Sequence, residues 1–381
     1  TIASVGFLLQ QVVIGWIIYD LTNSPLLTSL ALSIDWIFTL GAPIGGLIAD
    51  TQNKKRLLLL CYIFLMIITL LLSVIIIMDH LETWHIFAFT ALYGLSYIIH
   101  DPCRTSLMSS TVPNKLLVNA FSLTSLSFSF SQLIVPVLGG VLLATSGAGI
   151  ALLAEAIALL IASALILRLN DTTSSSIKIY PSSYPSALLE TIRYIKNTPN
   201  LFFVMMLSGI PWVIVAPFTI GLAPVYAVEV FDVGPTGLGT LLTAMGIGSV
   251  IATLILATFL DNDRKGLLIL ACIIVTIISL ALYSQSSSIG IAILWLIIIG
   301  GAFMVINTIT HATAQSLSDD KFRGRVSGFT WAMSGLFPIG GLLSGILAEY
   351  LSVSGATLIG AGILLFILIF IILCNKTIWR F

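Results

Sequence analysis

Long apolar stretches alternate with short polar ones along the whole chain. Twelve such stretches can be counted, at residues 2–20, 26–49, 57–78, 84–108, 116–145, 148–168, 201–228, 236–260, 267–284, 289–316, 326–350 and 355–374. About 20 apolar residues suffice for a helix to cross the hydrocarbon core. Inside it, a helix satisfies all of its own backbone hydrogen bonds. The pattern therefore predicts an all-α membrane protein with twelve transmembrane helices. One polar segment is much longer than the rest, residues 169–200, with Asp171, Pro181 and Pro185 in it. It reads as a cytoplasmic linker between a six-helix bundle at 1–168 and another at 201–381. Within the linker, Leu188, Ile192 and Ile195 fall on one side of a helix and Glu190 and Arg193 on the other. That spacing predicts a short amphipathic helix at the membrane surface.

The halves look like copies. Pro25 before the second stretch answers to Pro235 before the eighth, Asp50 to Asp261, and Val118 to Val326, at a steady offset. A repeat of six helices marks a transporter built from two pseudo-symmetric halves.

Composition agrees with the pattern. Charged residues make up 8% of the chain and hydrophobic ones 58%, against about 25% charged in soluble proteins. The formal net charge is zero, which gives no reason to expect a nucleic-acid partner. No CxxC pair, metal-ligand spacing or phosphate-binding Gly-rich loop is present. Neither an enzyme nor a cofactor is indicated, and the polar loops are too short for a catalytic domain. The chain opens at Thr1 inside an apolar run, and a preceding segment is expected.

Charge placement orients the chain. With the N-terminus cytoplasmic, all 16 Lys and Arg fall on the inner side, from Lys54, Lys55 and Arg56 to Lys376 and Arg380. The outer loops carry only Asp79, Glu82, Glu229 and Asp232. This is the positive-inside pattern, and a single missed span would destroy it. Both termini are expected in the cytoplasm, and the protein is expected to be multi-pass in a cell membrane.

The turn after the second stretch has Gly46, Asp50, Lys54 and Lys55 at the positions of a loop signature. With them the chain resembles the major facilitator superfamily. Thr51 and Asn53 stand where that signature usually has Arg and Gly. Trp16 to Pro25, Pro102-Cys103-Arg104, Val118-Asn119-Ala120 and Arg323-Gly324-Arg325-Val326 narrow the resemblance to bacterial enterobactin exporters and macrolide-efflux proteins. The resemblance implies two bundles around a central cavity, alternating access, a small-molecule substrate, and a monomer. It also implies that Asp50 meets the inner end of the eleventh helix and stabilises one gating state. A carboxylate near a helix N-terminus is favoured. The simpler reading is a solvated turn that sets topology.

Other residues stand out singly. Asp35 lies within the second stretch, where a carboxylate costs about 2.5–3.5 kcal/mol, so it is expected to face protein or water. It is the first candidate proton carrier, and a hydrogen bond to a neighbouring helix is the plainer alternative. Glu155 in the sixth stretch is a second candidate, although a peripheral helix predicts a snorkelling, structural carboxylate. Asn307, His311 and Gln315 share one face of the tenth helix. His311 can titrate near neutral pH, and Asn307 can line the cavity, unless both only bond neighbouring helices. Gln10, Gln11 and Trp212 are substrate-cavity candidates, because the resemblance places the first and seventh helices there. Asp101 and Arg104 are one turn apart and can pair. Arg323 and Arg325 can form an inner latch with Asp50 or Asp101. Pro136, Gly139 and Gly140 match an exporter motif of the fifth helix that bends it and lets helices pack closely.

The function expected is proton-coupled efflux of a small, partly apolar drug- or siderophore-like compound. The alternative is a proton-coupled uptake symporter or a facilitator for a small nutrient.

Overall fold

The computed structural model describes residues 2–112, 116–168, 184–259, 265–319 and 321–374, and within some helices only the backbone. All of the regular structure among these residues is helical. The first apolar stretch is α1 (Ile2–Thr22). The second is broken into α2 (Pro25–Ala31), a tight 3-10 segment (Ile34–Gly41) and α3 (Ala42–Thr51). Then come α4 (Lys54–Ile77), α5 (Thr83–Thr111), α6 (Leu117–Leu167) and the linker helix α7 (Tyr184–Asn197). The seventh stretch is α8 (Pro199–Ile210) followed by wide π-turns at Pro211–Val215, Pro217–Gly221 and Tyr226–Val230 around α9 (Ala223–Val225). The remainder is α10 (Pro235–Phe259), α11 (Lys265–Ser284), α12 (Ile289–Ser316), α13 (Arg323–Ala332), a 3-10 turn (Met333–Leu336), α14 (Phe337–Tyr350) and α15 (Val353–Cys374).

Among the described residues, ten stretches are long and apolar enough to cross a membrane, against twelve counted in the sequence. Two differences account for the gap. Leu123–Leu167 is a single apolar stretch of 45 residues, about twice what one crossing needs, and Gly147 breaks its helical geometry with φ +81°. Thr83–Thr111 is 29 residues long but is diluted by His100, Asp101, Arg104 and several Ser and Tyr.

Local chemistry sets the boundaries. Ser24 caps α2, its Oγ accepting from the Leu27 N–H at 3.2 Å, with Pro25 at the first helical position, where a missing N–H costs nothing. Asn53 caps α4, its Oδ1 accepting from the Arg56 N–H at 3.0 Å. Asn23, Asp79 and Asp232 take left-handed φ of 48°, 59° and 48° at the turns, a conformation Asn and Asp tolerate best after Gly. In the seventh stretch, Pro211, Pro217 and Pro224 each lack an N–H, and the backbone there widens into π-turns.

Two large buried cores run side by side. One gathers Leu8, Ile14, Leu65, Ile86, Leu152 and Leu159 from the first half. The other gathers Leu207, Phe218, Leu241, Tyr283, Ile299 and Leu364 from the second, and Val12, Tyr19 and Leu143 reach into it from the first. The halves meet where α6 packs on α10 and α2 on α14. Gly140 and Gly239 make the first contact possible: a Cβ on Gly140 would strike the Pro235 carbonyl, and one on Gly239 the Pro136 carbonyl. Pro136, Gly139 and Gly140 are all buried.

Candidate functional site

Aromatic rings from both halves converge at mid-length. Trp36, on the 3-10 segment, lies 4.8 Å from Trp212 of the π-turn segment and 6.2 Å from Phe337 of α14, ring centre to ring centre. From its own half it meets Phe7 at 5.9 Å and Tyr97 at 6.1 Å. Trp212 also meets Phe303 edge-on at 5.3 Å. Its Nε1 donates to Asn307 Oδ1 at 3.2 Å, and Asn307 Nδ2 donates to the Phe303 carbonyl at 2.9 Å. Trp36 Nε1 is buried without a hydrogen-bond partner. The 3-10 segment packs tightly on α5: a Cβ on Gly94 would strike the backbone carbonyl of Asp35.

Asp35 is 3% exposed, and one carboxylate oxygen has no hydrogen-bond partner. Glu155 is wholly buried. Its Oε1 accepts from the Tyr93 hydroxyl at 3.2 Å, while Oε2 has no partner. The snorkelling position expected for Glu155 is thereby corrected. Gly6 of α1 gives it room, since a Cβ there would sit 3.2 Å from Glu155 Cγ. Gln10 is buried one turn along the same face, with its Oε1 unpartnered, whereas Gln11 is half-buried. His311 stands apart from both carboxylates, half-buried against Trp331 at 5.7 Å.

Polar contacts tie the halves at the end carrying the Asn23 and Asp232 turns. Tyr19 Oη donates to Glu229 Oε1 at 2.7 Å. Glu349 Oε2 accepts from Ser24 Oγ at 2.8 Å and from the Leu26 N–H at 3.2 Å. Deeper in, Ser29 and Ser344 bond at 3.0 Å and Thr39 and Ser334 at 3.1 Å.

At the opposite, basic end, Asp101 pairs with Arg104 at 3.1 Å, as their spacing predicts, and with His100 at 3.4 Å. Arg325 bonds neither of its two expected partners in the contacts described. It pairs with Glu190 of the linker helix at 3.0 Å, beside Lys321 at 2.7 Å. Tyr194 stacks on Phe322 at 4.1 Å and accepts from the Asp319 N–H at 3.0 Å. The linker helix therefore packs its apolar side on protein, burying Ile195 against Leu201 and Val326, besides any membrane contact. Arg323 Nε reaches the Gln315 carbonyl at 3.4 Å. The backbone of α3 packs on α13, but the side chains of Gly46 and Asp50 lie outside the described residues. Lys54 and Lys55 open α4, both half-buried.

The latch on α7 is expected to depend on pH. Hydrogen bonds from Lys321 and then Arg325 hold the Glu190 carboxyl below its usual range. A carboxyl lowered on folding stabilises the fold above its ordinary pKa of about 4.3 and loses that effect as pH falls through the folded value. The latch is expected to hold at neutral pH and open in acid. Hydrogen exchange of the α7 amides, corrected for the intrinsic pH dependence, should rise only below that range. Glu190→Gln should hold it at the raised, acid-like level at every pH.

Comparison with known proteins decides the class. A model of the family described as transmembrane secretion effector matches residues 1–378. The chain belongs to this family. It is a transporter of the major facilitator superfamily and a multi-pass membrane protein. Among curated relatives, the enterobactin exporter EntS of Citrobacter koseri is 24% identical over 353 residues, 86% of this chain and 80% of that protein. Macrolide efflux protein A of Streptococcus pyogenes is 21% identical over 375 residues, 96% of this chain and 91% of that protein. Among solved structures, the nucleoside transporter NupG superposes with a TM-score of 0.72 at 14% identity, covering 98% of this chain and 97% of that one. A POT family transporter in complex with 5-aminolevulinic acid superposes at 0.77 with 13% identity, covering 99% and 96%. At such identities these two structures speak for the fold alone.

Sequence reasoning passed over Trp36, Tyr93 and Tyr97, and read Glu190 only as part of the polar side of the linker helix. Trp36 is adjacent to the conspicuous Asp35, and Tyr93 and Tyr97 are spaced one helical turn apart. Those were the signals available for them.

Proposed function

We propose that this transporter exports a small, partly apolar, ring-bearing compound of the drug or siderophore kind, driven by protons moving inward. Alternating access is the mechanism, with bundles 1–168 and 201–381 rocking about a site near mid-membrane. Counting the two arms of α6 about Gly147 separately, and adding α5, raises the ten apolar stretches to twelve crossings. With that count both termini are cytoplasmic, in the inner membrane of a bacterium, and the working unit is a monomer.

The observation that carries the reading is Trp36 against Trp212 across the junction of the halves, with buried Asp35 on the adjoining residue. Rings on both sides can hold an aromatic substrate by stacking, worth about 0.5–1.5 kcal/mol per pair beyond burial. In this reading the Asp35 carboxylate, on the residue next to Trp36, exchanges the proton as the halves move. Export is favoured over uptake because the two curated relatives are an enterobactin exporter and a macrolide efflux protein.

The test uses proteoliposomes with an imposed pH gradient and three probes: ethidium, erythromycin and a catecholate siderophore. Movement of a probe against its own gradient, in exchange for protons, supports the reading. Co-movement of probe and proton in one direction would make the protein a symporter. Movement indifferent to the pH gradient would make it a facilitator.

A further inference from the structure

We infer that Asp35 and Glu155 are not two separate acids but one proton-holding unit, joined by Tyr93 and Tyr97 of α5. This deepens the proton-driven reading and rests on it.

The two tyrosines are one turn apart, so both project from the same face of α5. Their rings meet edge-on at 5.9 Å. Tyr93 donates to Glu155 Oε1 at 3.2 Å. The Tyr97 hydroxyl is a side-chain donor within reach of the Asp35 carboxylate, and both it and Asp35 Oδ1 are buried. Each tyrosine senses both carboxylates. Helices α1, α5, α6 and the 3-10 segment thus place two buried acids and two buried hydroxyls in one polar seam.

The other ionisable groups around the seam are few. Tyr62 of α4 interacts with Tyr93, and Asp101 with Tyr97. Tyr62 in turn contacts His100 at 3.2 Å, and Asp101 is occupied by His100 and Arg104. From α1, Gly6 lies against Glu155 and Phe7 meets Tyr97 edge-on at 5.9 Å, and neither carries an ionisable group. Among the described contacts, neither Asp35 nor Glu155 has a Lys or Arg partner.

This arrangement is poor scaffolding and good proton storage. A buried carboxylate kept for structure is normally matched by a cation or a full set of donors. Here each acid retains an unbonded oxygen. Two acids sharing a polarisable hydroxyl pair titrate as a pair, each responding to the charge on the other. A proton taken or lost at Asp35, beside the ring cluster, would be registered at Glu155 deep in the first bundle.

Infrared pH-difference spectroscopy of the purified protein in lipid reads this without transport. Glu155→Gln and Asp35→Asn assign the carboxyl bands. The unit predicts that Asp35→Asn moves the midpoint of the Glu155 band by about 1 pH unit, the strength at which two sites behave as a pair. It also predicts that this movement disappears in a Tyr97→Phe background, where only a hydroxyl is lost. Tyr93→Phe should shift the frequency of the Glu155 band, since its hydrogen bond is gone, and leave the Asp35 frequency in place. A Glu155 midpoint that ignores Asp35→Asn, in protein with native Tm, overturns the unit. A midpoint that moves equally with and without the Tyr97 hydroxyl overturns the tyrosine link. If Glu155→Gln fails to fold, the Tyr93→Phe frequency shift still assigns the band. Absence of gradient-driven transport in the native protein would remove the export reading and leave these spectra to be judged separately.

Discussion

Asp35→Asn is expected to leave the protein folded and uncouple it from the pH gradient. One pH unit stores about 1.4 kcal/mol per proton, enough to sustain about a tenfold concentration ratio of exchanged substrate. The native protein should approach that ratio in proteoliposomes. The Asn variant should reach a ratio of about 1, because its side chain fills the same space without carrying a proton. Stability should not fall. The substitution removes a group whose burial costs about 2.5–3.5 kcal/mol when charged, and that group has no cation to leave behind. Retained accumulation with the Asn variant would assign coupling elsewhere, first to Glu155 and then to His311. A lowered Tm would make Asp35 a structural residue.

Gly140→Leu is expected to act on the other half of the cycle. Gly140 lies where α6 crosses α10, and any Cβ there meets the Pro235 carbonyl. Backbone atoms cannot swing aside as a long side chain can, so the helices must separate. Overpacking of this kind costs about 1–3 kcal/mol, or about 5–150-fold in the balance between two states. The cost falls only on states in which this contact is closed. The variant should therefore populate a form open at the Asn23 end and lose transport by a comparable factor. Spin labels at Leu21→Cys and Tyr350→Cys, on exposed side chains, should report a longer distance. Gly362→Leu is the control: nothing lies within 4 Å of that position, and the effect should stay within about 0.5 kcal/mol. An unchanged distance in Gly140→Leu would mean that the α6–α10 contact does not move in the cycle.

The same rule of backbone crowding explains which motif residues were readable. Gly139 and Gly140 stood out because, with Pro136, they match the exporter motif that the resemblance implies, and glycines there let helices pack closely. Asp101 with Arg104 needed only helical spacing. All of these are interactions within a few residues, and chain order is sufficient to state them.

Partners distant in sequence were not legible. Asp35 and Glu155 announced themselves as acids in apolar runs, but not which way they point. In a soluble helix the polar face would reveal the buried one. In these helices lipid-facing and core-facing sides are both apolar, so the periodicity carries almost no contrast. Glu155 therefore read as peripheral, although it is wholly buried on Tyr93. Arg325 read as a partner for Asp50 or Asp101, and it holds Glu190 of the linker. Trp36 and Trp212 come from different halves, and only the docking of those halves sets them ring to ring. By itself the sequence determined the membrane character, the apolar stretches and the turns between them, because these follow from local composition and spacing. The tertiary structure alone decided which acid faces which hydroxyl and which rings form the site. Those pairings depend on the rotation of each helix about its axis, which packing against its neighbours sets.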